Sequence, residues 1–294
     1  MRLGKLVVVG VGLIGGSLAL ALRRFAHVGA IVGVGRTQAN LDVALRAGIV
    51  DRAHLLSSAW TSELRDADVV VIATPVAQLP AVFAAMRDQL GRGTIVTDAG
   101  STKRDAIVAA RQHLGDAMPR FVGAHPIAGT EQSGAAAAFA ELFDGRNVIV
   151  TPAPDTDAGA RQKVEQLWRA CGARIVTMDA GEHDRVFAAV SHLPHVLAAA
   201  YVADLAVRPD AGRLFALAGS GFRDFTRIAA GSPELWHDIA LANREALVAE
   251  LAAFRGALDV LDEALRDPRG DSLRQLLVTA SDARRAWLRS RGDA

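Results

Sequence analysis

The first half of the chain alternates short apolar runs with amphipathic stretches. Leu6-Val7-Val8-Val9 is the first apolar run, and Ser17 to Arg24 has helical spacing behind it. Ala30 to Val34 is the second run. Val69-Val70-Val71-Ile72-Ala73 is the third, and it follows the turn-like Asp66-Ala67-Asp68. Thr94 to Thr97, Phe121 to Gly123, Val148 to Val150 and Arg174 to Thr177 complete the series, with helical patterns such as Val76 to Leu90 and Lys103 to Leu114 between them. Strands buried on both faces read as continuous apolar runs, and helices between them imply parallel crossovers. The pattern predicts a doubly wound, mostly parallel α/β domain over residues 1–178.

After Asp179 the strand-like runs stop. Ala/Leu/Arg stretches at helical spacing take over, as in Leu235 to Leu265 and Ser272 to Leu288. Ser232-Pro233-Glu234 sets a capping serine before a proline at the first helical position. Residues 179–294 are therefore expected to form an all-α C-terminal domain. Val186 to Val207 is the most apolar stretch, but His192, Pro194, His195 and Asp204 interrupt it at a cost in lipid. It reads as a buried helix and not as a span.

With 294 residues, 51% hydrophobic and 22% charged, the chain has the balance of a globular protein with a sizeable core. A net charge of +1 makes no electrostatic case for nucleic acid or an anionic membrane surface. Cys171 stands alone, so no disulfide and no Cys/His zinc spacing exists, and it reads as a small packed residue. The N-terminus runs straight into an apolar strand without a signal-like region. A cytoplasmic protein is expected.

Gly10-Val11-Gly12-Leu13-Ile14-Gly15 follows the first strand and opens a helix. In that context Gly10 permits a tight turn, Gly12 lets a pyrophosphate approach the backbone, and Gly15 lets helix and strand pack closely. Leu13, Ile14 and Gly15 begin a helix whose free N–H groups face the phosphates. This is a Rossmann-type dinucleotide site. The acidic residue that commonly binds the adenosine ribose is missing, and Gly35-Arg36-Thr37 ends the second strand instead. Arg36, with Thr37 beside it, favours the 2′-phosphate of NADP over NAD. The other reading of Arg36 is a solvated side chain stacking on adenine. Thr74-Pro75 ends another strand on the same sheet edge, where it either lines the nicotinamide ribose or only makes a turn.

Four further segments carry chemistry: Asp98-Ala99-Gly100-Ser101-Thr102-Lys103, Gly123 to Glu131 around His125, Ser191-His192-Leu193-Pro194-His195, and Gly221 to Ala229 followed by Ser232 to Trp236. With the glycine motif, these resemble the prephenate/arogenate dehydrogenase family, from Lys5 to at least Asn243. The resemblance implies oxidative decarboxylation of a cyclohexadienyl substrate with hydride transfer to NAD(P), in tyrosine biosynthesis. His125 matches the family histidine that bonds the substrate hydroxyl, and imidazole can take that proton near neutrality. Its other reading is a cap on the turn before Pro126.

Ser101 matches the serine that orients imidazole and hydroxyl, and it could equally cap the following helix. Arg223 and Arg227, four apart, suit a substrate with two carboxylates, Arg223 first. Either could instead pair with Asp224, Glu234 or a neighbouring subunit. His195 and, second to it, His192 border the substrate. A metal at this pair lacks a third ligand, so none is expected. Thr130, Lys103 and Glu131 are supporting residues.

The resemblance also implies a homodimer through the helical domain. The chain leaves no room for an N-terminal chorismate mutase or a C-terminal regulatory domain, so tyrosine inhibition would have to act at the active site. The competing enzymes are other two-domain reductases, such as β-hydroxyacid dehydrogenases and pyrroline-carboxylate reductases. A non-catalytic NADP-binding sensor is the reading from another class. The competing reductases do not account for the motifs around His125 and Phe222-Arg223-Asp224 together, and a sensor would bind NADP(H) without turnover. Prephenate against arogenate stays open.

Overall fold

A computed structural model of the chain describes residues 2–130 and 132–291. It packs as two compact units, Met1–Arg244 and Glu245–Ala294. The first unit begins with β1 (Leu3–Val9), α1 (Leu13–Arg24), β2 (Val28–Gly35), α2 (Gln38–Arg46), β3 (Arg52–Leu55), β4 (Val69–Ile72), α3 (Leu79–Met86) and β5 (Ile95–Asp98). It continues through α4 (Arg104–His113), β6 (Phe121–Pro126), β7 (Asn147–Thr151), α5 (Ala158–Ala170) and β8 (Arg174–Thr177). The strands form one sheet in the order β3-β2-β1-β4-β5-β6-β7-β8. All pairings are parallel except β6 with β7. Among the described residues, the 127–146 connection holds only a short 3-10 turn, Ala135–Ala137, where a parallel return would need a crossover helix.

The apolar runs marked the central strands because those strands are buried on both faces. Val7, Val9 and Val70 face one core, and Leu6, Val8 and Val71 face the other. β3 escaped the pattern. Arg52-Ala53-His54-Leu55 is an edge strand, exposed at one end and half-buried along the rest, so no apolar run announces it. Cys171 is fully buried in the core that holds Leu6, Val8 and Val71, where burial pushes its thiol up to about 12. It is an inert packing residue, as expected.

The same unit continues through α6 (Ala180–Phe187), a π-helical turn (Ala188–His192) and α7 (Leu193–Ala206). Then come α8 (Ala211–Ala216), α9 (Ser220–Thr226), a 3-10 turn (Arg227–Ala230) and α10 (Pro233–Ala242). Pro194 explains the π turn. It lacks the N–H that would close an α-helical bond to the residue four before it, and its ring crowds that carbonyl. Ser232 caps α10 by accepting from the Leu235 N–H, as its sequence predicts.

One expectation needs correction. The stretch Val186 to Val207 is not a buried helix. Only Leu193, Ala198 and Leu205 of α7 are buried, and Val190 is 67% exposed. Its apolar composition serves an open face as well as the core. The run Ala180–Ala206 is long and apolar enough to cross a membrane by length and composition. Yet Asp184 and His183 within it hydrogen-bond residues of the sheet half, which ties the run to protein and not to lipid. The helical pattern from Leu235 to Leu265 is carried by two helices. It breaks at Asn243, between α10 and α11 (Arg244–Arg266).

The second unit consists of α11 from Glu245 onward and α12 (Asp271–Arg291), joined through Gly270 at φ +68°. Leu258, Val260, Leu265, Leu277 and Trp287 on these helices are exposed.

One buried ion pair fixes the middle of the sheet. Lys103 and Asp98 are fully buried and bonded to each other. The Lys103 Nζ also donates to the Ala124 carbonyl at 2.8 Å, while Asp98 accepts from the Gly100 and Ala124 N–H groups at 2.9 and 3.1 Å. Replacing one partner strands the other charge in the core. We expect Asp98→Ala to lose about 3–5 kcal/mol in urea unfolding. A loss under about 1 kcal/mol would show that the pair does not hold the fold.

Candidate active site

The glycine turn fits a dinucleotide. Gly10 sits at φ +101°, and a Cβ there would lie 2.5 Å from the Ala73 carbonyl oxygen. At Gly15 a Cβ would lie 2.2 Å from the Gly10 carbonyl oxygen, so only glycine lets α1 pack this close to β1. Gly12 has open space where a Cβ would be, and as N-cap of α1 it supplies no side-chain bond. The first N–H groups of α1 are thus left for an anionic ligand. Leu13 and Ile14 turn into the core behind them. β1 and β4 are neighbours whose following helices leave in different directions, which is where open α/β sheets bind ligands. Thr74 lies two residues beyond the end of β4, with its hydroxyl buried and unpartnered, and Pro75 follows in extended backbone. Arg36 and Thr37 are exposed at the end of β2, and Thr37 takes the N-cap position of α2.

Two residues to which the sequence assigned no site role tie this turn to the segment after β6. Asn40 donates to the Val11 carbonyl at 2.7 Å and accepts from the Ala135 N–H at 2.8 Å. Ser17 accepts from the Phe139 N–H at 3.0 Å. No local pattern announces partners this far apart in the chain.

His125 lies near the end of β6, half-buried, with its ring edge against Phe187 at 4.8 Å. Its Nδ1 is 2.9 Å from the Nε2 of His183, whose Nδ1 is 2.8 Å from Asp184. Asp184 also accepts from the N–H groups of Lys103 at 2.8 Å and Arg104 at 3.0 Å, capping α4 from a distance. That cap is the role the sequence offered to Ser101, which sits half-buried on the loop before α4. Burial pushes His125 well below its ordinary 6.5, aided by the neighbouring His183, Lys103 and His192. His183 is lowered by burial too, while its hydrogen bonds hold Asp184 below the usual carboxylate range.

His192, on the π turn, is 1% exposed. Its Nδ1 accepts from Asn243, which also donates to the Asp184 carbonyl at 2.7 Å. The proton of neutral His192 therefore sits on Nε2, a buried donor with no partner. Burial lowers His192 to about 4. His195 donates from Nδ1 to the Ser191 carbonyl at 2.9 Å and stacks on Trp236, with ring centroids 3.5 Å apart. Burial lowers it as well, and the charge of nearby Arg227 adds to the effect.

The structure thus brings His125 and His192 together, adds His183, Asp184 and Asn243, and sets Arg227 near His195. Arg223 is exposed on α9, 3.5 Å from Asp224, the pairing named as its alternative. Thr130 is exposed and accepts from the Gln132 N–H at 3.2 Å. Glu131 lies outside the described residues.

Known proteins place this arrangement. The family profile for the prephenate dehydrogenase nucleotide-binding domain matches residues 18–177, and that for its dimerization domain matches residues 179–279. The chain belongs to the prephenate dehydrogenase family. It is 34% identical to the cyclohexadienyl dehydrogenase of Zymomonas mobilis, over 96% of this chain and 95% of that one. It is 33% identical to the prephenate dehydrogenase of Bacillus subtilis, over 95% of this chain and 75% of that one. The prephenate dehydrogenase of A. aeolicus, solved with hydroxyphenyl propionate and NAD+, superposes with a TM-score of 0.91 at 34% identity, covering 97% and 99% of the two chains. The arogenate dehydrogenase of Synechocystis gives 0.81 at 31%, covering 96% and 99%.

Four site histidines, His125, His183, His192 and His195, are held below their ordinary pKa of 6.5. The unfolded chain binds their protons first as pH falls, so their contribution to stability is complete above about 6.5 and shrinks below it. We expect urea midpoints to fall steadily from pH 6.5 toward 4, where His192 titrates in the folded state. Midpoints unchanged over that window would show that these rings are not buried neutral.

Proposed function

We propose that the chain oxidatively decarboxylates prephenate, arogenate or both, passing a hydride to NADP in preference to NAD, in tyrosine biosynthesis. The observation that carries this reading is a neutral, half-buried His125 on the same sheet edge as a glycine turn built for a dinucleotide, in a chain of this family. Bound NAD(P) takes the hydride from the ring carbon that bears the hydroxyl. Nε2 of His125 accepts the hydroxyl proton as that carbon becomes carbonyl-like. Loss of the ring carboxylate as CO2 then aromatises the ring, and the proton returns to the phenolic oxygen. Ser101 is assigned to orient the hydroxyl, with Lys103 and Thr130 in support.

Arg227 and Arg223 are assigned to the substrate carboxylates. The placement of Arg227 near His195 favours it over Arg223, reversing their order in the sequence reading. His195 and the unpartnered donor of His192 border the same substrate. Gly10, Gly12, Leu13, Ile14 and Gly15 hold the cofactor pyrophosphate, with Thr74 and Pro75 toward the nicotinamide ribose. Arg36 and Thr37 stand where a 2′-phosphate would sit, and Gly35 brings no carboxylate to repel it.

We divide the working parts at residues 1–178 and 179–294. The two family profiles change over at residues 177 and 179, which supports that division. The exposed apolar faces of α7, α11 and α12 fit a homodimer through the helical part. The buried, unpaired thiol of Cys171 fits a reducing cytoplasm. Tyrosine, the size and shape of the product, is proposed to inhibit at the active site, competitively with substrate.

The test is initial rate with prephenate and arogenate, each against NAD and NADP. Turnover with either substrate is expected, and none from folded protein that binds cofactor would favour a sensor or another reductase. His125→Asn is expected to lower kcat about 100- to 10,000-fold. Arg36→Ala is expected to raise KM for NADP roughly 10- to 100-fold and leave that for NAD unchanged. Equal kinetics with both cofactors before and after substitution would rule out the NADP preference.

A further inference from the structure

Resting on the proposed function, we propose that His183, held by Asp184, is a positioning residue that fixes the tautomer of His125. It keeps a proton on Nδ1 and leaves Nε2 bare to act as the base.

Hydrogen-bond direction fixes where the protons sit. The Asp184 carboxylate can only accept, and it already takes the N–H groups of Lys103 and Arg104. The His183 nitrogen that faces it at 2.8 Å must therefore carry a proton. His183 is fully buried and neutral, so its other nitrogen, Nε2, is a lone pair. That lone pair lies 2.9 Å from the Nδ1 of His125. Only Nδ1–H of His125 makes a hydrogen bond there, and a neutral His125 then has no proton on Nε2.

The reverse direction requires a donor on His183 Nε2. A neutral His183 in that form would point a bare Nδ1 at the carboxylate. A doubly protonated His183 would place a second cation in the burial that already holds Lys103. Neither is tolerable.

The constraint matters because imidazole left to itself prefers the Nε2–H form, which would offer the substrate hydroxyl a donor and no base. Phe187 lies against both rings, at 4.8 Å from His125 and 4.5 Å from His183, and keeps water from competing for the bond between them. His192 cannot replace His183 as acceptor. Its Nδ1 is taken by Asn243, and its free nitrogen carries the proton.

Nitrogen-15 NMR of the histidines in the whole, unliganded protein above pH 7 tests the tautomer directly. We expect His125 and His183 each to show a proton bonded to Nδ1 and a bare Nε2. A His125 with its proton on Nε2 would overturn the proposal. The kinetic arm compares His183→Phe, which removes the acceptor, with His183→Gln, whose amide oxygen can stand near the position of Nε2.

For folded His183→Phe we expect kcat to fall roughly 100-fold with substrate KM and cofactor affinity unchanged, and His125 to move to the Nε2–H form. His183→Gln should recover most of the loss. An unchanged kcat in folded His183→Phe, or equal loss in both variants, would sink the positioning role. Absence of turnover in the unsubstituted protein would instead count against the proposed reaction, leaving the tautomer result to stand by itself.

Discussion

A lysine ammonium buried without access to water is the constraint on which this structure turns. Lys103 cannot stay in the sheet without Asp98, and the pair is satisfied only while β5, the loop after it and β6 keep their register. The bonds that neutralise Lys103 end on Ala124, the residue before His125. The backbone N–H of the same lysine is held by Asp184, which also faces His183. One residue therefore positions the strand carrying His125 and the helix carrying His183. The energy that a buried pair costs in desolvation is returned here as placement, because neither end can shift without exposing the other.

The cofactor end of the site is joined to the same strand by different means. Asn40 and Ser17 hold the segment that follows His125 against the glycine turn and α1. These are neutral hydrogen bonds, worth about 1 kcal/mol each, and they fix position more than they stabilise. Their effect is to tie the glycine turn and the strand carrying His125 into one connected backbone. A family that must bring a hydride acceptor and a proton acceptor to one ring carbon needs that connection held.

Most of the sheet was legible because its strands are buried on both faces, so pattern and burial coincide. β3 was not, since an edge strand such as Arg52-Ala53-His54-Leu55 needs no apolar run. The helical half misled in a different way. Apolar composition says that a face avoids water, and it does not say whether its own chain or a second copy covers it. Val186 to Val207 read as core and proved largely open. In the site, His125, His192 and His195 stood out because each belongs to a short motif. His183, Asp184, Asn40 and Asn243 did not, because each acts on residues tens of positions away. A histidine next to an aspartate on an amphipathic helix looks like solvated surface until the fold turns that face inward.

The π turn shows how the two kinds of residue are combined. Pro194 forces the backbone wide at Ala188–His192, and that places His192 inward against Asn243. Asn243 sits at the break between α10 and α11, where leaving the helical path frees its side chain to reach both His192 and the Asp184 carbonyl. Two local irregularities, one from a missing N–H and one from a helix end, thus meet across the site and close it behind the histidines. A straight helix from Ala180 to Ala206 would satisfy its own backbone better. It would also present His183 and His192 about 100° × 9 apart around the axis, close to opposite faces (roughly 180°), since each residue advances a helix by about 100°. The extra residue in the π turn changes that relation, and so lets both rings serve one site.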